Sequence, residues 1–424
     1  MTTFAERMTT SLDEEPNRHP EPFRVLSSDI LISDVCISLP YNDTDEANSH
    51  GLQYSDIESF MAKILKRRNA QRGGKAAVFD DEYEELCKKI AGLEHKRSPG
   101  GSSANTLVTL GRLLGKKHIA TDFIGVAGTG EPAESIKRDL VSGNVHLLPE
   151  HPPEHRAAIH GTTIAFTQKN GERTTFTHRG NAADILTPEM VTPDLMEKCD
   201  AVFVQGSLWD KFGKDLPDKM LIQRWQKDKE IWLALPTHSK FDASKIVPET
   251  CQWQITSADV VLGNDAELLR IYKTDNLQIA LAELKQALGE RDKVREAKHK
   301  PRKEKKPVAF ITCEKGAYVV TPGEENIFLP ALPAPKEMYM IGAGDTAFAG
   351  FLAGHVAGMS LHDSAELGME LANAKLEYES ARIPDPRQEL LDKHNDRTNA
   401  LLKLMDEGLA ARHGAASGVS ALHR

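Results

Sequence analysis

Cysteine is scarce in this chain of 424 residues, and long apolar runs are missing. The five cysteines are odd in number, lie far apart and include no C-x-x-C pair, so we expect neither a disulfide framework nor a zinc site. No apolar run approaches the roughly 20 residues of a membrane-spanning helix. The first 20 residues are polar and acidic, so we expect no secretory signal. These absences predict a cytoplasmic protein that does not associate with a membrane.

An excess of basic residues is also absent. The chain has 53 Lys and Arg against 62 Asp and Glu, and the formal net charge of −9 argues against a general nucleic-acid binder. The dense basic run at 291–306 is therefore interpreted as a solvated surface insertion, with a polyanion patch as the alternative. The motif HPPEH places His151 and His155 four apart, but its two prolines predict a loop rather than a zinc-binding helix.

Two common catalytic patterns do not occur. The missing G-x-x-x-x-G-K-[ST] excludes a P-loop, and the missing G-x-S-x-G weakens a serine hydrolase. The segment GVAGTG, residues 125–130, has the spacing G-x-x-G-x-G. That spacing differs from the dinucleotide fingerprint G-x-G-x-x-G, so a nicotinamide dehydrogenase is also disfavoured.

Short apolar strands alternate with helical stretches along much of the chain, for example in AVFVQ, IWLAL, DVVLG and PVAFIT. This alternation predicts an α/β fold with a mainly parallel central sheet and helices on both faces. We expect a mobile tail at 1–24, one folded domain at 25–382, and a helical extension at 383–424 with a frayed Gly/Ala/Ser-rich end. Residues 41–98 are charged and helix-rich, which predicts a helical lid or insertion rather than sheet. A hairpin is predicted around the Asn170-Gly171 turn.

The segment EMYMIGAGDTAFAGF, residues 337–351, places a glycine turn immediately before an apolar helix. Gly342 and Gly344 let backbone amides approach an anion, and the positive end of a helix dipole favours an anion at that point. Asp345, in the first turn, is placed to accept a proton from a hydroxyl while the turn holds a phosphoryl group. The alternative is that Asp345 only caps the helix.

A second glycine turn, PGGSSAN, begins at residue 99 and leads into another helix. Gly100 and Gly101 would admit a substrate, and Asn105 would bind its hydroxyl groups. The alternative is a capped surface turn. Further along, NDAELL follows a strand and sets Asn264 three residues before Glu267. The pattern is equally consistent with two roles: the two side chains bind near a metal-bound phosphate, or they form a helix capping box.

In their order along the chain these motifs resemble the PfkB/ribokinase family of sugar and nucleoside kinases, over roughly residues 25–382. The family patterns G-G-x-x-x-N, N-x-x-E and D-T-x-G-A-G-D match in turn at the second glycine turn, at NDAELL and at the GAGD segment. The early strand ILISD ends at Asp34, where the family places an aspartate that binds substrate hydroxyls. ANA at 372–374 lies where the family places an asparagine beside the adenine.

The resemblance implies a ribokinase-like fold with a smaller lid, and transfer of the ATP γ-phosphoryl group to a hydroxyl of a sugar or nucleoside. It implies Mg²⁺ as the accompanying ion and Asp345 as the base. The implied site residues are an anion hole at Gly342, Ala343 and Gly344, substrate contacts at Asp34, Gly100, Gly101 and Asn105, nucleotide contacts at Asn264, Thr312, Gly316 and Asn373, and Glu267 acting on the metal through water.

The chain departs from the family pattern in two places. Tyr339-Met340 replaces the Asp-Thr opening of D-T-x-G-A-G-D, where many members use the aspartate beside a monovalent cation. The nucleotide loop TCEKG is one residue shorter than the family's and lacks its middle glycine. The first change bears on activation by potassium, and the second bears on the placement of the nucleotide.

The leading hypothesis is an ATP- and Mg²⁺-dependent transferase that acts on a small sugar or nucleoside, without nucleic-acid partners. The long 41–98 insertion and the segment NGERTTFTHRGNAADI slightly favour adenosine-kinase-like members of the family. A rival from another class is a non-catalytic nucleotide- or sugar-binding regulatory protein on a kinase scaffold. A homodimer is included among the expected assemblies.

Overall fold

The computed structural model describes residues 21–29, 31–42, 44–68, 70–148, 160–169, 173–206, 208, 219–221, 229–235, 248–297, 303, 305–335, 338–393 and 395–422. Most of the predicted tail at 1–24, the HPPEH motif, the Asn170-Gly171 turn and part of the basic run lie outside these residues. In the described part of the chain no helix is both long and apolar enough to cross a membrane.

The described residues form fourteen strands. In chain order they are β1 Phe23–Ser28, β2 Ile32–Ser38, β3 Lys75–Ala77, β4 Lys96–Gly100, β5 Ile119–Ile124, β6 Val145–Leu148, β7 Gly161–Thr167, β8 Arg173–His178, β9 Ala201–Val204, β10 Glu230–Ala234, β11 Val260–Asn264, β12 Val308–Cys313, β13 Gly316–Val320 and β14 Ile327–Pro330.

The helices, again in chain order, are α1 Thr44–Ser49, α2 Leu52–Arg67, α3 Asp80–Ile90, α4 Ser102–Leu114, α5 Glu131–Ser142, α6 Pro193–Lys198, α7 Pro248–Ser257, α8 Asp265–Tyr272, α9 Leu277–Ala297, α10 Ala343–Ala357, α11 Leu361–Lys375, α12 Pro386–Asp392 and α13 Asp396–Leu422. Two 3₁₀ turns, Ala182–Ile185 and Pro188–Met190, precede α6.

The central sheet has nine strands in the order β14-β13-β12-β11-β10-β9-β1-β5-β6. Every pairing from β12 to β6 is parallel, and β13 and β14 add an antiparallel edge. The predicted mainly parallel α/β fold is therefore confirmed. Because the carboxyl ends of parallel strands share one edge, the loops that follow them lie together there, which is where such sheets bind ligands.

Both faces of the central sheet are covered by helices. Alternate side chains of a strand point to opposite faces, so Phe203 and Trp232 enter one apolar cluster and Val204 and Leu233 enter the other. Apolar side chains of α4, α10, α11 and α13 belong to the first cluster, and those of α7, α8 and α9 to the second. The site helices α4 and α10 thus pack on the same face.

A second sheet of five strands, in the order β3-β8-β7-β2-β4, has its own apolar cluster with α2 and α3. The predicted hairpin is confirmed, because β7 and β8 pair antiparallel. Residues 41–98 are helical in large part, but the expectation that they contain no sheet is wrong, since β3 and β4 lie at 75–77 and 96–100. Their strands bring the glycine turn after β4 alongside β2.

Two expectations about surface segments are wrong. The basic run begins inside α9, where Arg291 and Arg295 are each only 1% exposed, and Arg291 donates to Asp259 Oδ1 at 2.8 Å. This ion pair attaches the end of α9 to Asp259, the residue before β11. At the other end of the chain, the Gly/Ala/Ser-rich segment continues α13 to Leu422 instead of fraying. Earlier in α13, Gly408 lies so close to the carbonyl of Ala357 that a Cβ would be 2.0 Å from that oxygen.

Candidate active site

The glycine turn before α10 has a strained and tightly packed entrance. Gly342 is the N-cap residue of α10 in the left-handed region, at φ 78°, and a Cβ there would lie 1.9 Å from the carbonyl oxygen of Ala381. A residue with a side chain fits neither constraint. A Cβ on Gly344 would instead meet nothing within 4 Å, so open space lies over this residue. The turn therefore packs tightly against Ala381 at Gly342 and has open space at Gly344.

Asp345 lies in the first turn of α10, three residues after the N-cap residue Gly342. The N-cap position that the capping alternative assigns to Asp345 is therefore occupied by a glycine. Among the three amides of the turn, that of Ala343 already donates to the Met340 carbonyl at 3.2 Å. The amides of Gly344 and Asp345 belong to the first helical turn, where intrahelical acceptors do not exist. The Gly344 amide, rather than that of Ala343, is therefore a donor that the turn offers.

Asn105 of α4 joins Asp345 to a buried arginine. Its Nδ2 donates to Asp345 Oδ2 at 2.8 Å, and its Oδ1 accepts from Arg382 Nε at 2.8 Å. Arg382 is 4% exposed, also donates through Nη2 to the Gly100 carbonyl at 3.1 Å, and pairs with Asp139. Since Arg382 can only donate, it fixes which end of the Asn105 amide faces Asp345.

The second glycine turn lies against Asp34. Asp34 is 6% exposed in β2, and a Cβ on Gly100 would lie 2.4 Å from Asp34 Oδ2, so the glycine leaves the room that this carboxylate occupies. Gly101, at φ 95°, begins α4. The next turn is attached to the central sheet, because Ser103 N donates to Oδ2 of Asp29, the residue that follows β1. The predicted substrate residues therefore meet at the carboxyl edge of the sheet.

Two cations lie near the Asp345 carboxylate. Burial lowers the pKa of the Arg173 guanidinium, while the carboxylates of Asp34 and Asp345 act in the opposite direction. In the described residues Arg173 Nη1 is buried without a hydrogen-bond partner. Burial also lowers the pKa of Lys375 to about 8, as does the charge of Arg173, while Cys36 and Asp345 act to raise it. The site around Asp345 therefore contains two cations, and one of them has a buried nitrogen without a hydrogen-bond partner among the described residues.

Asn264 and Glu267 form the capping box that the sequence left open. Asn264 Oδ1 accepts from Glu267 N at 2.9 Å, and Glu267 Oε2 accepts from Asn264 N at 3.0 Å. Thr312 pairs with Asn264 across β11 and β12, so all three residues lie at the carboxyl edge. The capping role does not exclude the predicted ligand role, because a carboxylate has lone pairs beyond the one that the Asn264 amide uses.

Gly316 and Asn373 lie further toward the antiparallel edge. A two-residue turn joins β12 to β13, with Cys313 opposite Gly316, which is how the shortened TCEKG loop closes. Gly316 has φ 145°, and a Cβ there would lie 1.9 Å from the Leu329 carbonyl oxygen. Packing alone therefore requires a glycine at this position. Asn373 is half-buried near the end of α11, a helix that packs on β13 and β14.

The two groups of site residues flank the Asp345 helix. Strand β1, beside the substrate group, is three positions from β11, beside Asn264, which corresponds to about 14 Å at the usual strand spacing. Helix α10 contacts α4 near the substrate group and also contacts β11 and β12, which carry Asn264 and Thr312. Asp345 therefore lies between the predicted substrate residues and the predicted nucleotide residues.

A cavity of about 420 Å³ adjoins the substrate group. Cys36 and Ser38 of β2 line it and share a strand face with Asp34, because side chains two apart point the same way. Its walls include Tyr54, together with Lys96 and Glu379, which form an ion pair at 2.5 Å. The volume is in the range of small-ligand pockets, about 300–1,000 Å³.

Comparison with known proteins shows the family of this chain. The pfkB family of carbohydrate kinases matches residues 77–388, and the chain belongs to this family. Members are phosphotransferases that use ATP and act on sugar or nucleoside hydroxyls. Among curated proteins, comparison by sequence gives no match.

Solved structures with the same fold include three bacterial proteins. An adenosine kinase from Sinorhizobium meliloti superposes with a TM-score of 0.66 at 21% identity, over 88% of this chain and 99% of that one. A probable sugar kinase from Rhizobium etli CFN 42 has a TM-score of 0.66 at 19% identity, with the same coverage of 88% and 99%. A putative ribokinase II from E. coli reaches 0.61 at 12% identity, again over 88% and 99%. At these identities the likeness concerns the fold, and the predicted ribokinase-like architecture is confirmed.

Sequence reasoning missed three cations of the site: Arg173, Lys375 and Arg382. Each had a weak signal. Arg382 is a lone charge in the segment SARIP, Lys375 follows the predicted Asn373 by two residues, and Arg173 begins the second hairpin strand. A charged residue among apolar or small neighbours is a candidate for a buried partner.

Proposed function

We propose that this chain transfers the γ-phosphoryl group of ATP to a hydroxyl of a sugar or nucleoside, with Asp345 accepting the hydroxyl proton. The observation that carries the proposal is the contact between Asn105 Nδ2 and Asp345 Oδ2, at 2.8 Å, beside a helix start with open space over Gly344. This contact supports the view that the Asp345 carboxylate is held in a fixed orientation, next to donors that suit a phosphoryl group.

Proton transfer would depend on the oxygen that faces the acceptor hydroxyl. Asn105 binds one oxygen of Asp345, and the buried Arg382 prevents the amide from turning over. A general base needs a hydrogen bond of about 2.6–3.2 Å to the proton it takes, so orientation matters as much as basicity. The Asn105–Arg382 pair supports a role in keeping the carboxylate aimed at the hydroxyl.

Stabilisation of the transferred group would come from the turn and its neighbouring cations. In phosphoryl transfer the developing charge lies on the phosphoryl oxygens, and positioned donors account for most of the catalysis. The Gly344 amide provides such a donor, and the Arg173 guanidinium has a buried Nη1 without a partner in the described residues. Both features support an anionic group over Gly344.

The donors at the end of β11 fit a magnesium ion held through water. Glu267 is 7% exposed, and its carboxylate lies at the end of β11. Asn264 Oδ1 and Thr312 Oγ1 lie at the same edge and supply two further oxygen atoms. Mg²⁺ takes oxygen ligands and keeps several of its waters, so one carboxylate with neighbouring amide and hydroxyl oxygens is suitable. When bound, the ion neutralises charge on the β- and γ-phosphates. In this proposal Glu267 orients water molecules, and Asn264 and Thr312 border the phosphates.

The acceptor would lie between Asp34 and the cavity beside it. Asp34 supplies a buried carboxylate for hydroxyl groups, and the cavity wall at Tyr54 offers an aromatic ring. Adenosine is one acceptor to test first, since several structures of the same fold are adenosine kinases. A panel should also include other nucleosides, ribose, fructose and sugar phosphates.

The decisive experiment measures ADP release by the parent and by Asp345→Asn across this panel. We expect the variant to fold and bind ATP but to lose about 10²–10⁴-fold in kcat, the usual contribution of a positioned base. Asp396→Asn is a matched control, because Asp396 is an exposed aspartate in the first turn of α13. Equal rates for Asp345→Asn and the parent would exclude Asp345 as the base. A parent that binds ATP but turns over no acceptor would favour the regulatory-protein alternative.

A further inference from the structure

Lys375 is a buried cation that holds two backbone segments together. It is the last residue of α11, and its side chain is 0% exposed. Its Nζ donates to the carbonyl of Tyr339 at 3.0 Å and to that of Tyr378 at 2.6 Å. The Tyr339 amide in turn donates to the Leu376 carbonyl at 2.9 Å. The segment that leads into the glycine turn is therefore fastened to the end of α11.

The surroundings of this ammonium differ from those of an ordinary buried lysine. A buried charge is usually neutralised by an opposite charge, yet within the described ranges no carboxylate forms an ion pair with Lys375. Its identified acceptors are two carbonyl oxygens. Desolvation lowers its pKa only to about 8, so at pH 7 the ammonium form predominates.

Carbonyl oxygens from separate segments are also what proteins use to bind a bare monovalent cation, because they replace its hydration shell. Here Tyr339 precedes Asp345 by six residues, and Tyr378 follows α11. The ammonium contacts the segment that leads directly into the glycine turn. It can attract an anion over Gly344 and can fix the backbone that presents the Gly344 amide.

We propose that the Lys375 ammonium is a built-in monovalent cation, which binds the Tyr339 and Tyr378 carbonyls and keeps the glycine turn in its anion-binding geometry without any dissolved potassium or sodium ion. Lys375 is thus a positioning residue, since it acts through the turn. The inference rests on the proposed phosphoryl transfer for its catalytic consequence, but its structural part is tested without turnover.

The first arm compares ions. Parent activity is measured in potassium, sodium and choline chloride at equal ionic strength, and we expect rates that agree within about twofold. The second arm removes the ammonium. Lys375→Ala leaves two carbonyls facing a small cavity, and we expect kcat to fall about ten- to several-hundredfold, with a much smaller change in KM for ATP, because positioned donors act mainly in the transition state.

Chemical rescue separates a cation site from a merely structural lysine. Potassium or ammonium ions should restore much of the lost kcat of Lys375→Ala, and choline should not, because it is too large to enter. Lys375→Met fills the cavity and should resist rescue. Lys403→Ala, which removes an exposed lysine of α13, is the control for loss of a charge.

Melting temperatures test the site independently of activity. Potassium, compared with choline, should raise the melting temperature of Lys375→Ala by several degrees and leave that of the parent unchanged. A parent activated more than tenfold by potassium, or a folded Lys375→Ala that responds to no cation, would overturn the proposal. If Lys375→Ala does not fold, Lys375→Gln carries the same comparisons. An inactive parent with the expected melting behaviour would count against phosphoryl transfer and in favour of the built-in cation.

Discussion

Asn105 provides the sharpest test of how the acceptor side is organised. In the parent, its Nδ2 supplies a hydrogen bond to Asp345 Oδ2 at 2.8 Å, and Arg382 determines that orientation. Asn105→Ala removes the bond from the carboxylate. Asn105→Asp replaces the donor by a second carboxylate at the same position. Both changes make the ionised form of Asp345 less favourable, and only the second adds a like charge.

The size of the effect follows from the contact. A hydrogen bond to a charged group contributes about 1.5–3 kcal/mol, and each pH unit corresponds to about 1.36 kcal/mol. Because Asp345 must be ionised to accept a proton, Asn105→Ala should move the acid limb of the kcat profile upward by about one to two pH units. Two unit charges 4 Å apart repel by about 4 kcal/mol at an effective dielectric of 20. With Arg382 offsetting part of this, Asn105→Asp should move the limb further, by about two to three units.

The assay is ADP release at saturating ATP and acceptor, from pH 5 to 9. Asn276→Asp is the matched control: Asn276 is exposed, accepts from Gln278 N and Ile279 N at the start of α9, and an aspartate accepts the same bonds. Its profile should coincide with that of the parent. An acid limb that stays within about 0.3 units in both Asn105 variants, or that moves downward, would refute the idea that this amide positions and stabilises the base.

Two further predictions concern Gly342 in the glycine turn and the contact between Glu230, at the start of β10, and His355. Gly342→Ala should destabilise the fold and lower kcat, because a Cβ at φ 78° would lie 1.9 Å from the Ala381 carbonyl oxygen; Gly358→Ala has a similar φ of 75° with nothing within 4 Å, so it should cost only about 1 kcal/mol and keep activity. Burial raises the pKa of Glu230, but the His355 charge and hydrogen bond outweigh burial and hold it at about 2. The contact with His355 therefore stabilises the fold where Glu230 is ionised, at and above the ordinary glutamate pKa, and this contribution is lost as pH falls through about 2. In urea titrations Glu230→Gln should lose about 1–2 kcal/mol at pH 7, and the difference should shrink below pH 4.5; a loss that does not depend on pH would contradict this account.

Local sequence rules were sufficient for the sheet and for both glycine turns. Apolar runs such as AVFVQ and IWLAL became adjacent parallel strands, because a buried parallel strand has few other ways to satisfy its backbone. Each glycine turn was also predicted to lead into a helix, and Gly101 and Gly342 are the N-cap residues of α4 and α10. In each case the information lies within about ten residues of the feature.

Contacts between distant segments could not be predicted in this way. Arg382 reaches Asn105 from 277 residues away, and nothing near either residue indicates the other. The capping box at Asn264 shows the opposite difficulty, because one local pattern serves helix capping and a ligand site equally well. The burial of Arg291 was missed for the first reason: its partner Asp259 is 32 residues earlier, so the surrounding basic run looked solvated.

The long separations within the site also determine when it can form during synthesis. Asn105 needs Asp345, 240 residues later, and Arg382, 277 residues later. At about 5–20 residues per second, a ribosome produces those partners roughly 12 to 55 s after Asn105 itself. Until then α4 emerges with the polar groups of Asn105 and the Gly100 carbonyl lacking their final partners. A chain stopped before residue 382 would keep this defect permanently, and quality-control proteases could therefore recognise incomplete copies at their unfinished active site.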